Sequence, residues 1–398
     1  MKINRNYLNL TENYLFSTVA AKTRTFQAEH PDKTLIKLSI GDVSRPLPAV
    51  VVQAMKRACK EMGQTKTFRG YGPELGYPWL RNAIVDFYHT QMQVELETDE
   101  IVVSDGAKSD LSNLLDIFDP TANVVMCDPV YPVYWDTNLM LGRTPQLLPA
   151  TAENNFLPMP DTSIVADIIY LCNPANPTGV CYDRAQLKRW VDFAREHQAV
   201  ILYDAAYTCF INDPDLPRSI YEIDGARECA IEICSFSKMA GFTGVRCGYT
   251  VVPKALKTMD GVSLNQLWRR RQTTKFNGVS YIVQRGAEAV FTPAGRQAVK
   301  QNIDYYRRNV RLICQTLERL QWPYVGGMHS PYVWVRCPAE YDAWQFFDKL
   351  LVQAGIVCTP GVGFGSAGKN YIRLTGFNSY TNTRRACRRL LDLSKDKI

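Results

Sequence analysis

Four short runs, Val124–Cys127, Ile168–Cys172, Ala199–Tyr203 and Ala230–Cys234, are apolar at nearly every position. A strand with no polar alternation must be covered on both faces, so these runs predict buried parallel strands. Between the second and third lies Asp183–Glu196. There Leu187, Trp190, Val191 and Ala194 recur at helical spacing, and Asp183 stands as an N-cap. Strand, helix, strand with short connections is a β-α-β unit, whose crossover is right-handed. The pattern predicts a large doubly wound, mostly parallel α/β domain over residues 50–283. A long charged helix pattern at Arg296–Leu320 follows, then strands at Tyr332–Arg336 and Tyr371–Leu374 with a helix between them. Residues 284–398, joined by 1–49, are expected to form a smaller α+β domain.

Length agrees with two domains: 398 residues exceed one ordinary domain. No run approaches the roughly 18 apolar residues of a membrane span. Met1–Phe16 mixes polar and apolar residues and lacks the apolar centre of a signal peptide. The chain is expected to be cytoplasmic, with no membrane partner. Twelve cysteines include no C-x-x-C pair, and the four histidines, His30, His89, His197 and His329, show no ligand spacing, so no metal site is expected. The net charge of +7 is spread along the chain, and Arg269–Arg271 and Arg384–Arg389 read as solvated helix faces. No nucleic-acid partner is expected.

In such a sheet, ligands bind beyond the carboxyl ends of the strands. Five segments occupy such places. Gly106, Ala107 and Lys108 follow the apolar Ile101–Val103 and open a helix, which suits a phosphate. Tyr131 sits between Pro129 and Pro132 in a stiff loop and could stack on a planar group. Asn173 to Gly179 is a breaker-rich loop that displays Asn176. Asp204, with Tyr207 three residues on, ends a buried strand, where a carboxylate wants a cationic partner. Ser235 and Lys238 end another strand; burial there lowers a lysine pKa and leaves a nucleophilic amine. Arg246 follows and could grip a phosphate. Taken singly, these are equally a plain turn, a core-capping tyrosine, an Asn-Pro turn and a structural ion pair.

In this order, the segments resemble the fold type I, pyridoxal 5'-phosphate (PLP)-dependent aminotransferases over nearly the whole chain. The match includes N-P-T-G at Asn176–Gly179, D-x-x-Y at Asp204/Tyr207, S-x-S-K at Ser235–Lys238, Gly361–Gly365, and Arg373. The resemblance implies a catalytic set of Lys238, Asp204 and Tyr207. Lys238 would be the Schiff-base lysine and proton carrier, Asp204 the partner of the pyridine nitrogen, and Tyr207 and Asn176 the partners of the phenolate oxygen. Tyr131 would stack on the ring. Ala107, Lys108, Ser235 and Arg246 would hold the phosphate, with Tyr71 reaching it from the partner subunit of a homodimer. Arg373 would take the substrate α-carboxylate.

Within that family, Asn13–Phe16, Leu38–Asp42, Lys108 and Lys275–Gly278 resemble a subgroup acting on LL-diaminopimelate. This implies Tyr14 and Gly41 at the α-carboxylate end, Lys108, Tyr131 and Asn176 also lining the substrate, and Glu74 and Asn277 at its far end. The expected reaction is transfer of the amino group to 2-oxoglutarate in lysine and cell-wall precursor synthesis. An aromatic- or aspartate-type aminotransferase, a PLP-dependent β-lyase and a non-catalytic PLP-binding regulator remain alternatives. Ala175, Met239 and Met328–Ser330 depart from the expected pattern.

Overall fold

Strand side chains point alternately to opposite faces, and in the central sheet both faces are buried. Val125, Ile169, Leu171, Ile201 and Tyr203 enter one core, while Val124, Met126, Ile168, Tyr170, Val200 and Leu202 enter another. This is why the strands read as unbroken apolar runs. The structure is a computed structural model that describes residues 1–10 and 15–395. In chain order its strands are β1 (Ile36–Lys37), β2 (Ile101–Ser104), β3 (Val124–Asp128), β4 (Gln146–Pro149), β5 (Ile168–Cys172), β6 (Val200–Asp204) and β7 (Ala230–Ser235). They continue with β8 (Gly248–Val251), β9 (Tyr324–Gly326), β10 (Tyr332–Arg336), β11 (Ile356–Val357), β12 (Thr359–Pro360) and β13 (Tyr371–Thr375).

The large sheet has seven strands in the order β2-β8-β7-β6-β5-β3-β4. Strand β8 is antiparallel to both neighbours, and the other pairings are parallel. Helices cover both faces. Pro78–Met92 and Arg184–Glu196 pack Leu80, Ile84, Leu187 and Trp190 on one side; Ala107–Asn113 and Leu264–Lys275 pack Leu111 and Trp268 on the other. A second sheet, β12-β13-β10-β9, is antiparallel. Its core takes Val333, Trp334 and Ile372 together with Leu15, Val19 and Phe26 from the helix Leu15–Glu29. The architecture is α/β, with a large doubly wound sheet and a smaller α+β part to which the N-terminal helix contributes.

The long helix is Pro293–Leu320, begun by Thr292, whose side chain accepts from the Gly295 amide at 3.1 Å. Its Val310, Ile313 and Leu317 join the second core, and its Ile303 and Tyr306 pack with Tyr207, Tyr332 and Phe377. One rigid rod therefore ties the second sheet to the carboxyl ends of the first.

The helix Arg184–Glu196 carries a full capping box: Asp183 accepts from the Gln186 amide at 2.8 Å, and Gln186 accepts from the Asp183 amide at 2.9 Å. Replacing Asp183 with Ala should lower stability by about 1 kcal/mol, with Asp183→Asn nearly neutral. Urea unfolding midpoints of the three proteins check this.

Candidate active site

Because the strands run parallel, their carboxyl ends gather on one edge of the sheet. Strand β2 leads into the Gly106 turn, β3 into the loop with Tyr131, and β5 into the loop with Asn176. Strand β6 ends at Asp204, with Tyr207 just beyond, and β7 ends at Ser235 and runs into the helix Phe236–Ala240, which carries Lys238. From the second sheet come Tyr332 on β10 and Arg373 on β13. These side chains, with Gly41, Ala107, Lys108 and Arg246, line one cavity of about 370 Å³.

Asp204 is 4% exposed and has no cation within ion-pair distance among the described residues. Its carboxylate accepts from the Tyr134 hydroxyl at 2.5 Å and the Ala206 amide at 3.0 Å. Burial raises its pKa, and those two bonds oppose the shift. Tyr134 is itself held by stacking on Tyr170, ring centres 4.7 Å apart. A buried carboxylate so arranged is incomplete without a positive partner.

Arg373 presents the opposite charge. Its side chain is 1% exposed, donates to Asn176 Oδ1 at 2.7 Å and to the Ser39 carbonyl at 2.9 Å, and leaves Nε without a partner. No carboxylate of the described residues pairs with it. The ring of Tyr332 lies 4.2 Å from the guanidinium carbon. A buried fork of this kind matches a carboxylate in bidentate geometry.

Burial pushes the Lys238 pKa down to about 8; Asp42 opposes the shift, and the positive charges of Arg373 and Arg246 add to it. Its amine donates to the Gly41 carbonyl. Tyr207 shares a 2.7 Å hydrogen bond with Tyr332, and burial raises its pKa, so its hydroxyl stays protonated.

At the other end, the first amides of the helix Ala107–Asn113 have no intrahelical acceptor. Gly106 has φ 133°, and a Cβ there would stand 2.5 Å from Arg246 Nη2, so the guanidinium lies directly against the turn. Gly248 is equally constrained: its Cβ would meet the Cys234 carbonyl at 2.7 Å and Gly106 Cα at 2.8 Å. Arg246 adopts a left-handed φ of 60°, unusual for a side chain of its size, and donates to Ser237 at 3.2 Å. Beneath the turn, the Gly106 amide donates to Ser104 Oγ at 3.2 Å, and Ser104 donates to the buried Asp110. Burial pushes Asp110 up to about 8. A glycine turn opening a helix beside Arg246, a buried acid, an amine of lowered pKa and the ring of Tyr131 in one cavity fit PLP, which offers a phosphate, a basic pyridine nitrogen, an aldehyde and a flat ring.

Not every expected residue meets in this cavity. Tyr71 is 91% exposed, and Glu74 and Asn277 are also on the surface. They belong to neighbouring segments, since a Cβ on Gly278 would lie 3.5 Å from Glu74 Cα. Tyr14 lies outside the described residues. Conversely, Asp42, Tyr134, Ser237 and Tyr332 were not singled out from the sequence. Ser237 could have been, from its place beside Lys238, whereas Tyr134 and Tyr332 reach the site only through tertiary packing.

In the cofactor-free protein, Lys238 should lose its proton near pH 8. Exposed lysines hold theirs to about pH 10.4. The pH dependence of acylation, read by peptide mass spectrometry, should place the Lys238 midpoint well below that of surface lysines; coincident midpoints would contradict the geometry.

Comparison with known proteins identifies the family. The family described as aminotransferase class I and II matches residues 33–390. The chain is 49% identical to the LL-diaminopimelate aminotransferase of Lawsonia intracellularis, covering 97% of this chain and 98% of that protein. It is 47% identical to the enzyme of the same name from Methanosphaera stadtmanae, covering 99% of each. The solved L,L-diaminopimelate aminotransferase from Chlamydomonas reinhardtii superposes with a TM-score of 0.92 at 39% identity, over 98% of both chains. The chain belongs to the class I and II aminotransferase family.

Proposed function

We propose that this enzyme moves an amino group from LL-2,6-diaminopimelate to 2-oxoglutarate, reversibly, giving tetrahydrodipicolinate and glutamate for lysine and cell-wall precursor synthesis. The observation that carries the transaminase chemistry is the buried Arg373, with no carboxylate partner among the described residues, in the same cavity as the low-pKa Lys238. The choice of diaminopimelate is supported by the relatives that bear that name at nearly half identity over their whole length.

PLP, the cofactor of this family, supplies when bound an electron sink for the pair released as the substrate Cα–H bond breaks. The residues act around it. Asp204 holds a proton on the pyridine nitrogen, aided by Tyr134, which keeps the carboxylate in place. Asn176 has its oxygen engaged by Arg373, which leaves its NH2 group as the donor toward the phenolate oxygen, alongside Tyr207. Tyr131 packs on the ring. Ala107, Lys108, Ser235 and Arg246 hold the phosphate. Arg373 clamps the α-carboxylate and so fixes the direction of the Cα–H bond. Lys238, whose amine is of lowered pKa in the same cavity, would be the group that takes the proton from the substrate Cα.

The working form is a homodimer. Tyr71, Glu74 and Asn277 lie outside their own cavity on adjacent exposed segments, and from there they complete the site of a second copy. Tyr71 reaches the phosphate, and Glu74 and Asn277 meet the distal ammonium and carboxylate of diaminopimelate. The cytoplasm is the proposed setting, consistent with twelve free cysteines.

The first test mixes the yellow holoenzyme with LL-diaminopimelate in a single-turnover absorbance scan, with meso-diaminopimelate and aspartate alongside. The cofactor band should fall with the LL isomer alone. A response only to aspartate would leave the family chemistry intact and discard the substrate. Glu74→Gln should raise KM for diaminopimelate about tenfold or more while the resting spectrum is unchanged, as expected when a charge-assisted bond to an ammonium is lost. An unaltered KM would remove Glu74 from the distal end.

A further inference from the structure

Behind the active cavity lies a second one, larger at about 570 Å³. The two share a thin partition made of catalytic segments. The short helix Phe236–Ala240 gives Ser237 and Lys238 to the active cavity and Met239 to the second. The stretch after β6 divides in the same way: Tyr207 lines the active cavity, Thr208 and Cys209 the second, and Ala206 and Ser235 border both. The far side is supplied by the helix Tyr281–Phe291 and the long helix, through residues such as Phe291, Val299 and Ile303.

Two features define what would fit. The wall is aromatic, formed by Phe87, Tyr88, Tyr249 and Phe291. The polar part is cationic: Arg218, Arg296, Lys300 and Arg307 all line it. Lys300 and Arg307 share Asp304, at 2.6 and 3.0 Å. The guanidinium groups of Arg218 and Arg296 have no ion-pair partner among the described residues and donate to the backbone carbonyls of Gln91 and Phe291, while the Arg218 backbone amide donates to Glu222 at 2.7 Å. Glu232, the acid in the lining, is 1% exposed and already accepts from Tyr88, from Ser219 at 2.7 Å and from the Ile220 amide at 2.8 Å. It offers the arginines nothing. An aromatic wall beside two guanidinium groups without counter-ions matches a ring bearing one carboxylate.

We propose that this second cavity binds an aromatic monocarboxylate, its ring against the aromatic wall and its carboxylate on Arg218 and Arg296. A ligand there bears on Met239 and Cys209, on the reverse side of the segments that hold Lys238 and Tyr207. It therefore changes kcat without competing for the substrate site.

The test titrates 3-phenylpropionate into the holoenzyme by calorimetry and follows steady-state kinetics with the same compound. Binding is expected to be independent of substrate concentration, with kcat altered and KM unchanged. Arg218→Gln and Arg296→Gln should each weaken binding about tenfold, the scale of one charge-assisted pair. Val299→Trp, which fills the cavity without changing charge, should abolish it. All three variants should keep the resting cofactor spectrum and thermal transition of the parent, which separates loss of the site from misfolding. Purely competitive inhibition, affinity unchanged in all three variants, or no heat up to about 10 mM ligand would each overturn the proposal.

Discussion

Asp204 and Arg373 are nearly removed from water, and neither has an ion-pair partner among the described residues. Desolvating a charge costs several kcal/mol unless an opposite charge repays it. The polar groups near each hold it in place without neutralising it: Tyr134 and the Ala206 amide for the acid, Asn176 and the Ser39 carbonyl for the guanidinium. Lys238 shares their cavity, where burial and the charges of Arg373 and Arg246 favour its neutral form. A protonated pyridine and a substrate carboxylate, in the proposed roles of the two residues, would bring the countercharges that the described residues do not supply. Binding and chemistry thus draw on the same electrostatic deficit.

The scaffold sustains that deficit because it is rigid on both sides. Buried on both faces, the parallel strands β5, β6 and β7 deliver Asn176, Asp204 and Lys238 to one edge with little freedom to move away. At the Gly106 turn, the contacts of Gly106 with Arg246 and of Gly248 with Gly106 leave no room for a side chain. The buried Asp110, through Ser104, fixes the amide of the turn. Only glycine allows backbone and guanidinium to approach this closely.

The long helix Pro293–Leu320 connects these parts. One end packs behind the Lys238 segment and lines the second cavity, the middle packs on Tyr207 and Tyr332, and the far end enters the core that carries Arg373. Relative movement of the two sheets is therefore mechanically linked to the partition between the cavities.

Much of this was legible along the chain. Apolar strands covered on both faces, the capped helix Arg184–Glu196 and the small or charged residues closing the strands are local patterns, and local patterns depend on backbone periodicity that sequence carries directly. The residue types at Gly106, Asp204 and Lys238 were readable from their places at strand ends, whereas Arg373 was marked only by the resemblance to the aminotransferase family. Tyr134 beneath Asp204, Tyr332 beside both Tyr207 and Arg373, and the guanidinium groups of Arg218 and Arg296, without an ion-pair partner among the described residues, were not legible. Those depend on which distant segments come within hydrogen-bonding distance, and that distance is set by packing between elements far apart in the chain. The amino-acid sequence determined which groups are available and where elements begin and end; tertiary structure alone decided which charges are buried without partners, because burial is a property of the assembled layers.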